Sequence, residues 1–166
     1  LNSAFAALYR FPKPLVVAAN GSAIAGGLFL VLTADYAVAH IAAQFGLAEV
    51  RVGADFPSCP LEIARGNLPP QALRRLMLSG QPVTAEQAMA NGFIDELAEP
   101  GKVLPQATTA ARNLAASPPK TYASVKAQIR KPTLDIIQAA ITNQTDPARA
   151  GWFTDETKTA MKAMIG

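Results

Sequence analysis

The first half of the chain alternates short apolar runs with one longer apolar segment that carries no charge. Apolar positions at helical spacing predict that residues 2–10 end an amphipathic helix, and Leu15–Ala19 is a continuous run typical of a strand buried on both faces. Residues 26–33 are almost entirely apolar, which predicts a helix buried all round. Residues 36–39 and 43–45 predict two further strands. Strand, buried helix and strand in succession are typical of a βαβ unit, so the pattern predicts an α/β fold with a parallel sheet.

From residue 56 onward the pattern changes to helices joined by short connections that contain Pro, Gly or Asn. One short strand is predicted among them, at Phe93–Leu97. The predicted helices cover residues 57–65, 69–78, 84–90, 103–116, 119–130, 133–143 and 154–164. Helices of this kind usually pack on a core or on another subunit.

Composition limits the classes of protein to which the chain can belong. It has 166 residues, of which 50% are apolar and 16% are charged, which suits one globular domain and excludes a disordered chain. The net charge is only +3, and no dense basic stripe with interleaved aromatic residues is present. We therefore expect no nucleic-acid partner. A modest positive balance suits an anionic small ligand equally well.

The chain contains one cysteine, Cys59, and one histidine, His40. These counts exclude a disulfide within the chain and any site built from several cysteines or histidines, so we expect no metal centre. A single cysteine suits a reducing compartment, and we expect a cytoplasmic protein. His40 is predicted to be a strand-end residue near the surface. The apolar run Leu28–Leu32 is too short to span a membrane and is soon followed by Asp35, so we expect no membrane contact.

The pair Gly26-Gly27 opens the apolar helix, after a strand that stops at Asn20-Gly21. A helix start made of small residues aims unpaired backbone N–H groups at one point, where a ligand oxygen can approach closely. Such a point can hold a developing negative charge. The alternative interpretation is that the glycines only permit tight helix packing.

Glu49 follows in a mostly apolar neighbourhood that includes Leu47 and Val52. Partial desolvation would raise the pKa of this carboxyl group toward that of a useful general base. The alternatives are a salt bridge to Arg51 or simple surface exposure. An anion hole and a lone base together indicate proton transfer next to a carbonyl group.

Other polar residues nearby are weaker candidates for chemistry. Asp55 lies in a turn, where aspartate is commonly structural, although it is close enough in sequence to reach the pocket of Glu49. Asp35 is predicted to be a turn residue between helix and strand. Ser58 and Cys59 have no base at a recognisable offset, so we do not expect a nucleophile there.

Several short motifs follow one another in an order that resembles the enoyl-CoA hydratase/isomerase (crotonase) family. The resemblance covers about residues 1 to 130. The matching pieces are Lys13-Pro14, Asn20-Gly21, Ala25-Gly26-Gly27, Ala34-Asp35, Ala43-Gln44-Phe45-Gly46, Glu49, Gly53, Leu78-Ser79-Gly80, Thr84-Ala85-Glu86-Gln87-Ala88 and Asn91-Gly92-Phe93-Ile94-Asp95.

The resemblance implies an architecture and a set of partners. It implies a crotonase-like spiral of ββα units followed by a C-terminal helical region. Residues 1–97 would be the C-terminal portion of the spiral core, and residues 98–166 would be helices used for trimerisation. The chain starts as if within a helix, so we expect that it lacks the family's N-terminal part. We expect an acyl-CoA thioester as substrate, no cofactor apart from the coenzyme A of that substrate, and a homotrimer or dimer of trimers.

The resemblance also implies roles for individual residues. Gly26 would donate one of two oxyanion-hole N–H groups to the thioester carbonyl, and Glu49 would be the catalytic base. The family's second donor, and much of its CoA-binding surface, lie upstream of the matching segment. The acyl tail is expected near Phe29, Phe56 and Trp152. The expected substrate-binding residues are Ala23, Ile24, Ala25, Gly27, Phe29 and Phe56.

One position departs from the pattern of the family's hydratases. Those enzymes place a second glutamate three residues after the oxyanion glycine, where this chain has Phe29. Family members with a single glutamate are typically Δ3,Δ2-enoyl-CoA isomerases, so the resemblance favours double-bond isomerisation with Glu49 as the shuttling base. Two alternatives stay open. Asp55 could act with Glu49 in a hydratase or hydrolase, or the protein could be a non-catalytic CoA-binding relative.

Overall fold

The computed structural model describes residues 2–146 and 154–165 of the chain. The helices are α1 (Asn2–Tyr9), α2 (Gly26–Leu32), α3 (Ser58–Asn67), α4 (Pro70–Ser79), α5 (Ala85–Ala90), α6 (Val103–Ala115), α7 (Pro119–Asn143) and α8 (Asp155–Ile165), with a 3-10 turn at Glu49–Val52. The strands are β1 (Val16–Ala19), β2 (Ala23–Ile24), β3 (Tyr36–His40), β4 (Gln44–Gly46), β5 (Val83–Thr84) and β6 (Glu96–Ala98).

Strands β1, β3 and β6 form a parallel sheet with β3 in the centre. Side chains alternate across β3, since Val38 packs with Val103 of α6 on one face while Ala37 and Ala39 join the main core on the other. Burial on both faces explains why β1 and β3 are continuous apolar runs, as predicted. His40 ends β3, where its Nδ1 accepts a hydrogen bond from the Ala42 N–H (3.1 Å).

A second small sheet contains strands that the sequence pattern does not reveal. Its strand β4 pairs in parallel with β2 and antiparallel with β5. β2 and β5 have only two residues each, too few to produce a periodic pattern. At its centre Phe45 is fully buried and meets Phe93 edge to face, with ring centroids 6.1 Å apart. Phe93 therefore belongs to the core, and the last strand of the first sheet begins at Glu96 rather than at the predicted Phe93.

Helix α7 is continuous through Pro132, so the predicted break between residues 130 and 133 is wrong. A proline inside a helix removes one backbone hydrogen bond, and tertiary contacts on both sides of it offset that loss. Arg130 and Ile137 are buried against the rest of the protein. Thr133 lies so close to Gly66 of α3 that a Cβ atom on Gly66 would come within 2.6 Å of its Oγ1.

Asp35 connects the helical region to the sheet. As predicted, it lies in the turn between α2 and β3. Its carboxylate accepts hydrogen bonds from the Leu15 N–H (2.8 Å), Lys126 Nζ (2.6 Å), Arg130 Nη2 (2.7 Å) and the Tyr122 hydroxyl (2.9 Å). Burial and this carboxylate raise the pKa of Tyr122 to about 12. α7 is therefore held to the core by charge-assisted bonds as well as by apolar contact.

Candidate active site

Two neighbouring strands bring the candidate residues to one edge of the second sheet. β2 and β4 run in parallel, with Ala23 opposite Phe45 and Ile24 opposite Gly46. α2 starts at Gly26, directly after β2, and the 3-10 turn starts at Glu49, three residues after β4. Because the carboxyl ends of parallel strands meet at the same edge, the segments that carry Gly26 and Glu49 leave the sheet side by side.

The backbone at the start of α2 leaves two amides without a partner. The N–H groups of Leu28 and Phe29 both donate to the carbonyl oxygen of Ala25 (2.9 and 3.4 Å). The N–H groups of Gly26 and Gly27 donate to no acceptor within residues 2–146 and 154–165. A Cβ atom placed on Gly26 would have no neighbour within 4 Å, so the space beside this residue is open.

The residue before these amides has an uncommon backbone conformation. Ala25 has φ 53° and ψ −123°, outside the backbone regions that are sterically favourable for L-residues. Such a conformation costs on the order of 1–3 kcal/mol and persists where the surrounding structure imposes it, often at functional sites. Here it lets the chain turn sharply from β2 into α2. No apolar or polar pattern in the sequence predicts this strain.

Glu49 is buried, with only 7% of its surface exposed. Burial raises the pKa of its carboxyl group, and a backbone hydrogen bond at Glu49 itself opposes this shift in part. Its Oε2 atom is enclosed and has no hydrogen-bond partner in the described part of the chain. Surface exposure is thus ruled out. The alternative salt bridge to Arg51 is absent from the ion pairs of the described residues.

This geometry combines open amides at the start of α2 with the buried acid Glu49. The family model for enoyl-CoA hydratase/isomerase matches residues 1–164. The chain belongs to the enoyl-CoA hydratase/isomerase family. A Thermus thermophilus protein that carries an enoyl-CoA hydratase name is 37% identical over 124 residues, which cover 74% of this chain and 48% of that protein. The chain thus spans about half the length of the curated relatives that it matches.

Solved structures of enoyl-CoA hydratase/isomerase relatives have the same fold. An enoyl-CoA hydratase from Mycobacterium marinum superposes with a TM-score of 0.81 at 33% identity, covering 85% of this chain and 63% of that one. A Mycobacterium tuberculosis protein described as an enoyl-CoA isomerase gives the same TM-score at 35% identity, covering 85% and 62%. The crotonase fold predicted from the sequence is therefore confirmed, including the helical C-terminal region.

The position that holds a second glutamate in the family's hydratases is filled by a core residue. Phe29 is only 2% exposed and lies between Phe5 and Phe56, with both ring centroids 6.0 Å away in edge-to-face geometry. Phe56 is half-buried beside it. Asp55 differs from Glu49 in being exposed.

The other expected substrate-binding residues lie around the start of α2. Ala23, Ala25 and Gly27 are half-buried, while Ile24 is exposed. Their contact with substrate stays a prediction, as does that of Phe29 and Phe56. Trp152 lies outside the described residues.

Neither Ser58 nor Cys59 has the surroundings of a nucleophile. The N–H and hydroxyl groups of Ser58 both donate to Asp146 Oδ1 (3.1 and 3.4 Å). Cys59 is fully buried, and burial raises the pKa of its thiol to about 11, so the thiol stays protonated at neutral pH.

The described residues contain neither a metal-binding cluster nor a membrane-spanning helix. They contain no group of three or more His, Cys, Asp or Glu side chains that could hold a metal ion. None of the helices between residues 2 and 165 that the structure describes is both long enough and apolar enough to cross a membrane.

One residue that contacts the Glu49 turn has no signal in the sequence. Thr157 of α8 donates a hydrogen bond from its hydroxyl to the carbonyl oxygen of Gly53 (2.8 Å). The two residues are 104 positions apart, and no local pattern connects them.

Proposed function

We propose that this protein moves the double bond of an enoyl-CoA thioester from the 3,4 to the 2,3 position. The observation that carries the proposal is the buried Glu49 Oε2, without a described partner, at the same sheet edge as the free Gly26 amide. A desolvated carboxylate is a strong base, and an unpaired amide at a helix start stabilises negative charge. Coenzyme A enters only as part of the substrate, and no other cofactor is required.

The reaction balances with one base and one anion hole. Glu49 removes a proton from C2, and the electron pair of the broken C–H bond moves into the thioester, giving a dienolate whose charge rests on the carbonyl oxygen. The Gly26 N–H donates a hydrogen bond to that oxygen. The Glu49 carboxylic acid then returns its proton to C4, the double bond forms between C2 and C3, and the carboxylate is regenerated.

The environment of Phe29 supports isomerisation over hydration. Adding water across a double bond needs one group to activate the water and another to handle the proton at C2. An aromatic ring packed between Phe5 and Phe56 can do neither. A single shuttling carboxylate is sufficient for isomerisation, because the proton that it removes is the proton that it returns.

A second candidate is hydration with Asp55 as the partner of Glu49. Two observations favour it. The Thermus thermophilus and Mycobacterium marinum relatives carry hydratase names. Asp55 also provides a second carboxylate only six residues from Glu49. In this case the exposed Asp55 would have to turn toward the pocket when substrate binds.

Product analysis separates the two candidates. The protein is incubated in D2O with 3-enoyl-CoA and 2-enoyl-CoA substrates of several chain lengths, and the products are identified by NMR and mass. Isomerisation converts 3-enoyl into 2-enoyl thioesters, whereas hydration yields 3-hydroxyacyl-CoA. Glu49→Gln is expected to abolish turnover, and the exposed Glu99→Gln serves as the matched control. Full turnover by Glu49→Gln would overturn the proposal, and loss of hydroxyacyl product in Asp55→Asn would favour the second candidate.

We also propose that copies of the chain associate, as a homotrimer or a dimer of trimers. Helix α7 carries apolar side chains that face away from the core, among them Ile129, which is 74% exposed, and the neighbouring Val125 and Ile136. Exposed apolar side chains on one helix are typical of an interface. Light scattering of wild-type protein and of Ile129→Lys tests this, and a monomeric wild-type protein would refute it.

A further inference from the structure

Helix α8 returns to the turn that carries Glu49 and packs against it. Its residue Thr157 is a polar side chain with only 2% exposure. The hydroxyl of Thr157 donates to the carbonyl oxygen of Gly53 at 2.8 Å. Thr154 lies beside it, accepting the Thr157 N–H at 3.1 Å and meeting the Thr157 hydroxyl oxygen at 2.9 Å. The Thr157 hydroxyl is therefore also held by the residue that immediately precedes its helix.

Gly53 closes the turn that begins at Glu49. Its φ of +65° is left-handed, and its N–H donates to the Val50 carbonyl (3.3 Å). The next N–H, that of Ala54, donates to the carbonyl of Glu49 itself (3.0 Å). The Gly53 carbonyl that Thr157 holds thus belongs to the peptide unit that includes the Ala54 N–H. One rigid peptide plane links the Thr157 hydroxyl to the Glu49 backbone.

The close approach of α8 leaves little freedom at this junction. A Cβ atom on Gly53 would lie 3.3 Å from Glu156 Cγ and 3.4 Å from the Thr157 nitrogen. Glycine therefore satisfies both the left-handed φ and the contact with the helix. The turn is restrained both by its own backbone hydrogen bonds and by its contacts with α8.

We infer that Thr157 is a positioning residue for Glu49, which it holds in its buried orientation by binding the Gly53–Ala54 peptide unit. The inference rests on the proposed function for its catalytic meaning. Thr157 itself is not expected to touch substrate. If the bond is lost, the turn loosens, water reaches the Glu49 carboxyl group, and the base is no longer held beside the α2 amides.

The charges around the turn allow a direct test. Arg51 lies on the turn itself, α4 carries Arg74 and Arg75, and α8 carries Asp155, Glu156 and Lys158. Replacing Thr157 by the nearly isosteric valine changes none of these charges. A change in the titration of Glu49 in this variant then reports solvent access and geometry rather than a new electrostatic neighbour.

The experiment measures Glu49 directly. Protein labelled with 13C at the glutamate carboxyl carbons is titrated by NMR, and the Glu49 signal is identified by its absence in Glu49→Gln. In Thr157→Val we expect the pKa of Glu49 to fall toward the ordinary glutamate value, and in Thr157→Ser we expect the wild-type titration. The control is Thr159→Val, since Thr159 is an exposed residue of the same helix whose hydroxyl donates to the Asp155 carbonyl oxygen (2.7 Å) and not to the Glu49 turn.

Turnover gives a second readout. We expect Thr157→Val to lower kcat roughly tenfold with KM nearly unchanged, because a displaced base slows proton transfer more than it weakens binding. Thr157→Ser should restore kcat. An unchanged Glu49 titration in a folded Thr157→Val protein overturns the inference, as does an equal shift in Thr159→Val. If Thr157→Val does not fold, Thr154→Val takes its place, with a smaller shift in the same direction expected and no shift overturning the inference.

The outcomes separate this inference from the proposed function. If Glu49→Gln keeps full activity while Thr157→Val still shifts the Glu49 titration, the proposed function fails and the structural role of Thr157 stands. If Glu49→Gln is inactive and the Thr157→Val titration and kcat are both unchanged, the function stands and the role of Thr157 is refuted.

Discussion

The Ala25 N–H donates a 2.8 Å hydrogen bond to the Gly46 carbonyl oxygen and so extends the β2–β4 ladder beyond the carboxyl end of β2. This bond fixes the point at which the chain leaves the sheet and enters α2. Ala25 has its positive φ at this point, where the chain turns directly from the sheet into α2. The free amides of α2 are thereby held beside the segment that leads to Glu49.

Removing the Gly26 N–H tests the anion hole without adding charge. Replacing Gly26 by glycolic acid turns this amide into an ester, which deletes the donor and adds no side chain, whereas a proline would clash with the Cβ of Ala25. We expect kcat to fall by about 10²–10³ while the far-UV CD spectrum is retained, since one lost oxyanion donor typically has that effect. The control is Gly21→Ala, at an exposed glycine where an added Cβ would meet nothing within 4 Å. Wild-type turnover in the folded ester variant would contradict the assignment.

The strain at Ala25 predicts an unusual effect of glycine. Ala25→Gly should raise the free energy of unfolding by about 1 kcal/mol, because glycine adopts a positive φ without steric cost. The same change at Ala127, an exposed position inside α7, should lower it by about 1 kcal/mol. Urea denaturation of both variants measures the difference. Equal losses at the two positions would show that Ala25 is not strained.

Burial of Glu49 predicts a particular dependence of stability on pH. Its pKa is raised in the folded protein, so between the ordinary glutamate value and the raised value the folded state keeps a proton that the unfolded chain has released. The contribution of Glu49 to stability is therefore greatest at low pH and is lost as pH rises through that interval. Glu49→Gln does not titrate. Its Tm should exceed that of wild type at pH 7, and the difference should shrink as pH falls through that interval and be smallest below the ordinary glutamate pKa of 4.5.

Thermal melts across this pH range check the prediction. The exposed Glu99→Gln serves as a control for the loss of one negative charge. A Tm difference for Glu49→Gln that stays constant with pH, or that matches the control, would mean that the carboxyl group is not desolvated.

Asp35 is expected to contribute strongly to the free energy of unfolding. Asp35→Asn removes the charge between Lys126 and Arg130 and leaves two buried cations without a counter-ion. We expect a loss of about 3 kcal/mol or more in the free energy of unfolding, as is usual when one partner of a buried pair is removed. Asp135→Asn breaks an exposed pair with Lys131 and should cost less than about 1 kcal/mol. Similar losses for the two variants, measured by urea denaturation, would refute this.

Much of the fold is predictable because its cause is local. β1 and β3 are continuous apolar runs, and the predicted helix start at Thr84 is a capping box in which Thr84 and Gln87 satisfy each other's backbone N–H groups. Pro132, in contrast, predicts a break that the structure does not have. A local rule fails there because α7 packs on α1 and α3. Before the proline Arg130 donates to the Tyr9 carbonyl, and after it Thr133 lies against Gly66.

The candidate site likewise has features that local sequence predicts and features that it does not. The sequence alone determined that small residues open an apolar helix at Gly26 and that Glu49 stands among apolar neighbours, since both depend only on adjacent residues. That Phe29 stands where the hydratases have a glutamate followed from the family resemblance. Tertiary structure decided that the Glu49 Oε2 is enclosed without a described partner, that Ala25 is strained, and that Thr157 holds the turn. These features depend on which distant segments exclude water and where they donate hydrogen bonds, and pairings between residues far apart in the chain leave no periodic trace in it.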